Sequence, residues 1–169
     1  MSQKVSSPDD QDLLEAERDI RAKLGTRDFD FESMQAIANI YRAAAAVRRR
    51  AEREVLADAG LSWGGFTILW VLWVWGEMET GQLAVECDLA KGTLTGMLTT
   101  LEKQDLVTRT RVEADRRRMV VALTRKGTRT ISGLFTEFNR YEAAMTDGLT
   151  REQKLELASL LRAVTRNTL

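Results

Sequence analysis

The stretch from Thr80 to Gly127 constrains the fold more than any other part of the chain. Within it Leu94, Met97, Leu98 and Leu101 recur at i, i+3, i+4 and i+7, the repeat of a helix that buries one face. The opposite face carries Lys91, Thr93, Thr95, Gly96, Thr99, Thr100 and Lys103, with no acid before Glu102. A small, weakly basic face of this kind suits a helix laid in a DNA major groove, where bulk or negative charge would hold it off the phosphates and base edges. An ordinary amphipathic surface helix carries the same stripe, so the helix alone does not separate the two readings. Next come two alternating runs, Leu106–Val112 and Arg118–Leu123, separated by Glu113-Ala114-Asp115-Arg116-Arg117. They predict a β-hairpin with a charged tip. A charged tip is commonly just solvated. Placed directly after a candidate recognition helix, its arginines become candidates for phosphate or minor-groove contact. Arg109, Arg116, Arg117 and Arg118 join the helix residues as candidate DNA ligands, with Asp115 orienting an arginine within the wing.

This segment resembles the winged helix-turn-helix of the multiple-antibiotic-resistance regulator (MarR) family. The resemblance rests on Leu83-Ala84, Thr93-Leu94-Thr95, Leu101-Glu102-Lys103, Leu106-Val107, Asp115-Arg116-Arg117 and Leu123-Thr124-Arg125-Lys126-Gly127, in that order and spacing. It extends more loosely from about Ser33 to the C-terminus. Three positions depart from the family pattern: Gly92 stands where proline is common, Gly96 where arginine is common, and Asp105 where glycine ends the recognition helix. Gly96 removes a side chain that would reach a base or phosphate. The resemblance implies a homodimer that binds double-stranded DNA, usually as a repressor, and that is released by a small aromatic or phenolic effector.

The formal charge is zero, 25 basic against 25 acidic residues, so bulk charge does not point to nucleic acid. Its distribution does. Residues 109–129 hold eight Lys and Arg against Glu113 and Asp115, a net of +6, whereas residues 1–30 hold five basic and eight acidic residues, a net of −3. A concentrated basic patch is the footprint expected of a DNA-binding surface. There is no histidine, and Cys87 is the only cysteine. That excludes an intramolecular disulfide, leaves no ligand set for zinc and removes Ser-His-Asp and Cys-His catalysis. No metal or cofactor is expected, nor an enzyme. The apolar run 66–75 is too short to span a bilayer, and no apolar signal core opens the chain, so a cytoplasmic protein is the expectation.

In chain order, residues 1–12 are polar and acidic and read as disordered, and Leu13–Leu24 as a short helix of an N-terminal extension covering residues 1–30. Ser33–Ala59 reads as a long helix stopped by Gly60, with Glu32 and Ser33 near its start. Ser62 caps the next helix, which carries Trp63, Phe66, Leu69, Trp70, Leu72, Trp73 and Trp75. A helix apolar on nearly every side is expected to be buried nearly all round. Core packing accounts for its four tryptophans; a ligand pocket bordered by Tyr41, Arg42, Arg48, Trp63, Phe66 and Trp70 is the sharper alternative. Thr80 is the expected N-cap of a helix over Gly81–Cys87, with Cys87 a small buried filler. Thr128–Met145 and a final helix opened by the capping box Thr150-Arg151-Glu152-Gln153 complete the chain. The apolar faces of these last helices and of the N-terminal one need a partner, and a two-fold dimer supplies it.

The expectation is a mainly α fold with a small β-hairpin wing. A winged helix-turn-helix lobe covers residues 61–127, and a helical dimerisation region covers 31–60 and 128–169. Two functions remain open on the sequence: a DNA-binding transcription regulator, and a winged-helix protein-interaction module that does not bind DNA.

Overall fold

The computed structural model describes residues 13–113 and 115–168. The expectation of disorder over residues 1–12 lies outside the described residues. The helices are α1 (Glu15–Leu24), α2 (Phe31–Ala51), α3 (Trp63–Trp75), α4 (Thr80–Glu86), α5 (Lys91–Lys103), α6 (Arg125–Met145) and α7 (Arg151–Thr168). A π-helical turn, Glu52–Leu56, continues from α2. The strands are β1 (Met78–Glu79), β2 (Val107–Val112) and β3 (Asp115–Leu123), forming an antiparallel sheet of order β1-β3-β2. Among the described residues, no helix is long and apolar enough to cross a membrane. The chain divides into two compact units, residues 1–46 and 47–169.

In the first unit, α1 packs on α2 through Glu17. This buried carboxylate accepts hydrogen bonds from the Leu14 amide and from Asn39 Nδ2, each at 2.8 Å. The Leu14 amide is the main cause that holds Glu17 below its ordinary pKa. The start of α2 is set by Asp30, whose carboxylate accepts from the Ser33 amide and hydroxyl at 2.9 and 2.6 Å. The helix therefore begins ahead of Ser33, capped by a residue the sequence reading passed over.

The second unit holds the core. Leu56, Ile68, Leu69, Leu83, Leu94, Leu98, Val121 and Ile131 are all but excluded from solvent. Ser62 caps α3, accepting from the Gly65 amide at 3.2 Å. The all-round burial expected of α3 holds only for its first part. Phe66, Ile68, Leu69, Val71 and Leu72 are buried, but Trp73, Val74 and Trp75 at the end are 37, 48 and 56% exposed. Two other boundaries also move. Thr80 is the first residue of α4, not its cap, because the extended Glu79 of β1 runs straight into the helix. α6 starts at Arg125, three residues early, capped by Thr124, whose hydroxyl accepts from the Gly127 amide at 2.9 Å. The capping box at Thr150 is present: its amide donates to Gln153 Oε1 at 2.8 Å, and the Gln153 amide donates back to its hydroxyl at 3.2 Å.

Candidate nucleic-acid interface

α5 is seated by Leu94, Leu98 and Leu101, each no more than 2% exposed. Its end is fixed by a Schellman motif: the Leu106 amide donates to Leu101 O and the Asp105 amide to Glu102 O, both at 2.9 Å, with Asp105 left-handed at φ 58°. The same closure ends α4, where Asp88 takes φ 50° and the Leu89 amide donates to Ala84 O at 2.9 Å. Aspartate tolerates this region better than most residues without being as relaxed there as glycine. The departure at Asp105 therefore leaves the turn intact and adds a modest strain.

The outward face of α5 is the one the sequence pointed to. Lys91, Thr93, Thr95, Gly96, Thr99, Thr100 and Lys103 are all exposed, and a Cβ added at Gly92 or Gly96 would meet nothing within 4 Å. The hydroxyls of Thr95, Thr99 and Thr100 donate to the carbonyls of Lys91, Thr95 and Gly96 at 2.9, 3.0 and 3.3 Å. Those protons are spent inside the helix. What these side chains hold outward is a methyl group and oxygen lone pairs, which narrows the donor-or-acceptor role a threonine has in principle.

The wing is the expected hairpin, β2 pairing with β3 antiparallel, but its tip is shorter than the sequence suggested. β3 begins at Asp115, so Arg116 and Arg117 lie in a strand and not at the tip. Arg111 pairs with Met119 while its neighbour Val112 pairs with Asp115. Residues 116–118 therefore bulge from the ladder as an insertion. Two of the candidate DNA arginines already hold carboxylates. Arg118 pairs with Glu79 on β1, its Nε donating at 2.9 Å and its Nη2 to the other oxygen. Arg109 Nε donates to Glu102 Oε2 at 2.8 Å, and its Nη2 donates to the same oxygen. Sequence reading missed both pairs, and β1 with them: a two-residue strand has no period to detect, and Glu79 lies 39 positions from Arg118.

The candidate effector residues are divided between the two units. Trp63 and Phe66 pack with Phe138, the Phe66 and Phe138 rings stacked at 4.5 Å. Trp70 meets Trp75 edge-on at 5.2 Å. Arg48 pairs with Glu52 at 3.6 Å. In the other unit Tyr41 is 73% exposed, and Arg42 donates to Asn39 Oδ1 at 3.1 Å. Cys87 is buried, and its thiol is pushed up to about 11, first by burial and then by Glu86.

A short helix, a turn, an exposed second helix and a β-hairpin in this order, with β1 ahead of them completing the sheet, define a winged helix-turn-helix. The MarR family profile matches residues 61–119. The HTH-type transcriptional regulator YwaE of Bacillus subtilis is 34% identical over 160 residues, covering 93% of this chain and 94% of its own. Among solved structures, the transcriptional regulator PA4135 superposes with a TM-score of 0.69 at 25% identity, covering 77% of this chain and 95% of that one. NadR in complex with 4-hydroxyphenylacetate gives 0.63 at 28%, covering 75 and 89%. The chain belongs to the MarR family of DNA-binding transcription regulators. Between the two functions left open by the sequence, family membership selects the regulator.

Proposed function

We propose that this regulator is a homodimeric, ligand-responsive repressor of the cytoplasm that binds a palindromic operator. The observation that carries the dimer is α7. None of its 18 residues is buried, and Leu155, Leu157, Leu160 and Leu161 are 60, 45, 59 and 39% exposed. A stripe of leucines left in water along a helix this long is an interface waiting for a second copy of itself. Two α5 helices then enter successive major grooves about one turn, roughly 10 base pairs, apart. Lys91, Thr93, Thr95, Gly96, Thr99, Thr100 and Lys103 face base edges and phosphates, and Arg116 and Arg117 supply phosphate or minor-groove contacts. Release is assigned to an aromatic or phenolic acid near Arg48, Trp63, Phe66 and Trp70 of the second unit. NadR with its bound 4-hydroxyphenylacetate supports that ligand class.

The test has two arms. Sedimentation at micromolar concentration gives twice the chain mass; a folded monomer there sinks the dimer. Titration with aromatic carboxylates and phenols quenches tryptophan emission saturably and weakens operator binding over the same range. Ligands that move neither signal remove the effector from the scheme.

A further inference from the structure

We propose that Arg109 is a positioning residue for operator readout and not a phosphate ligand: anchored on Glu102, its guanidinium ties β2 to the exposed face of α5 and fixes the Thr99 side chain there. The inference rests on the reading that α5 meets the bases.

Three bonds meet at this point. Nε and Nη2 of Arg109 converge on one oxygen of Glu102, and Nη2 also reaches Thr99 Oγ1 at 3.5 Å. The Thr99 hydroxyl proton is already directed into the helix, at Thr95 O, so the lone pairs are what Arg109 meets. With donor and acceptor both engaged, the rotation of the Thr99 side chain is set and its methyl group points one way. Thr95 and Thr100 make the same bond to their own helix, but no described hydrogen bond joins their hydroxyls to the wing. Glu102 and Arg109 are 31 and 23% exposed. A DNA phosphate would have to displace a mostly covered carboxylate to recruit this arginine. The carboxylate also explains how an acid sits on the last turn of a DNA-facing helix: its charge is neutralised from the strand beside it.

The geometry separates two roles by experiment. The wild-type protein first enriches a duplex from a random-core library, and affinities for that duplex and for a scrambled one are measured across a salt series. Arg109→Lys keeps the charge but loses the planar pair of donors that holds Glu102 and Thr99 together. As a positioning residue, Arg109→Lys lowers the ratio of specific to scrambled affinity about tenfold, with the salt slope unchanged. In a Thr99→Ala background the same change lowers the ratio no further, an interaction that a general loss of fold would not produce. A ratio unchanged in Arg109→Lys, or a loss as large in the Thr99→Ala background as outside it, overturns the proposal. If Arg109→Lys does not fold, Glu102→Gln replaces it. Removing the anchor lowers the same ratio if Arg109 positions Thr99, and leaves it unchanged if Arg109 serves the phosphates. A wild-type protein that enriches no sequence overturns the operator reading itself, a result distinct from enrichment followed by an unaltered ratio.

Discussion

Gly127→Ala adds one methyl group at the start of α6, where the surrounding backbone leaves no room for it. An ideal Cβ there falls 2.0 Å from Leu106 O and 2.9 Å from Leu106 C, both main-chain atoms. Contacts under 3.0 Å are essentially absent from real structures, so the helix and the Leu106 carbonyl must part by at least about 1 Å. The hydrogen bonds across this seam that it strains most are those of Thr124, whose amide donates to Leu106 O at 3.0 Å and whose hydroxyl donates to Asp105 O at 2.7 Å. Losing them costs about 1 kcal/mol each, and more for a group left buried without a partner. Overpacking adds about 1–3 kcal/mol, against a gain of up to about 1 kcal/mol from alanine's helix propensity. The balance is a destabilisation of about 2–4 kcal/mol. Urea unfolding at fixed protein concentration measures it. Gly96→Ala is the control: the same change inside another helix, with nothing within 4 Å of the new Cβ, stabilises by up to about 1 kcal/mol. A Gly127→Ala protein as stable as wild type, or two variants that shift alike, refutes the reasoning.

Asp105→Gly relieves the left-handed strain at the end of α5 and raises stability by about 0.5–1 kcal/mol; a lower unfolding midpoint would mean that the aspartate side chain contributes more than its backbone costs. The Glu79 carboxyl is held below its ordinary 4.5, chiefly by its hydrogen bonds from Arg118. A depressed acid stabilises the fold above its unfolded pKa and loses that contribution as pH falls through the folded value. Glu79→Gln therefore flattens the fall in melting temperature below pH 4.5, and an unchanged acid limb counts against the pair. With its thiol near 11, Cys87 in the native protein reacts with a disulfide reagent at pH 8 roughly a hundredfold more slowly than after denaturation; equal rates would place the thiol in solvent.

Much of the fold was legible because its signals are local. The stripe Leu94-Met97-Leu98-Leu101 and the alternation of Leu106–Val112 need no partner to be read, and Ser62 and Thr150 declare their helices within four residues. What escaped depends on distant atoms. Gly127 reads as a pause between strand and helix, yet it lies inside the first turn of α6 because the Leu106 carbonyl occupies the space a side chain would take. The basic stretch reads as a row of equivalent arginines. Glu79 and Glu102, from other elements, divide it by engaging Arg118 and Arg109. Spacing alone places the threonines on one face, but only the folded helix shows where their hydroxyl protons go.

The seam between the wing and α6 also limits how this molecule can move. A hinge needs backbone able to change its dihedral angles without breaking anything. Residues 123–127 have no such slack: Gly127 lies against a carbonyl, Thr124 is bonded on both sides, and the Lys126 ammonium donates to Gln104 O at 2.7 Å. Farther along, α6 is held by the Phe66–Phe138 stack and by the Tyr141 hydroxyl donating to Val47 O. The recognition helix and a helix of 21 residues, about 31 Å long, are thus joined as one stiff piece. A signal that alters the fit to DNA has to turn that piece as a whole, so a small rotation imposed at the far end of α6 reaches α5 undiminished in angle.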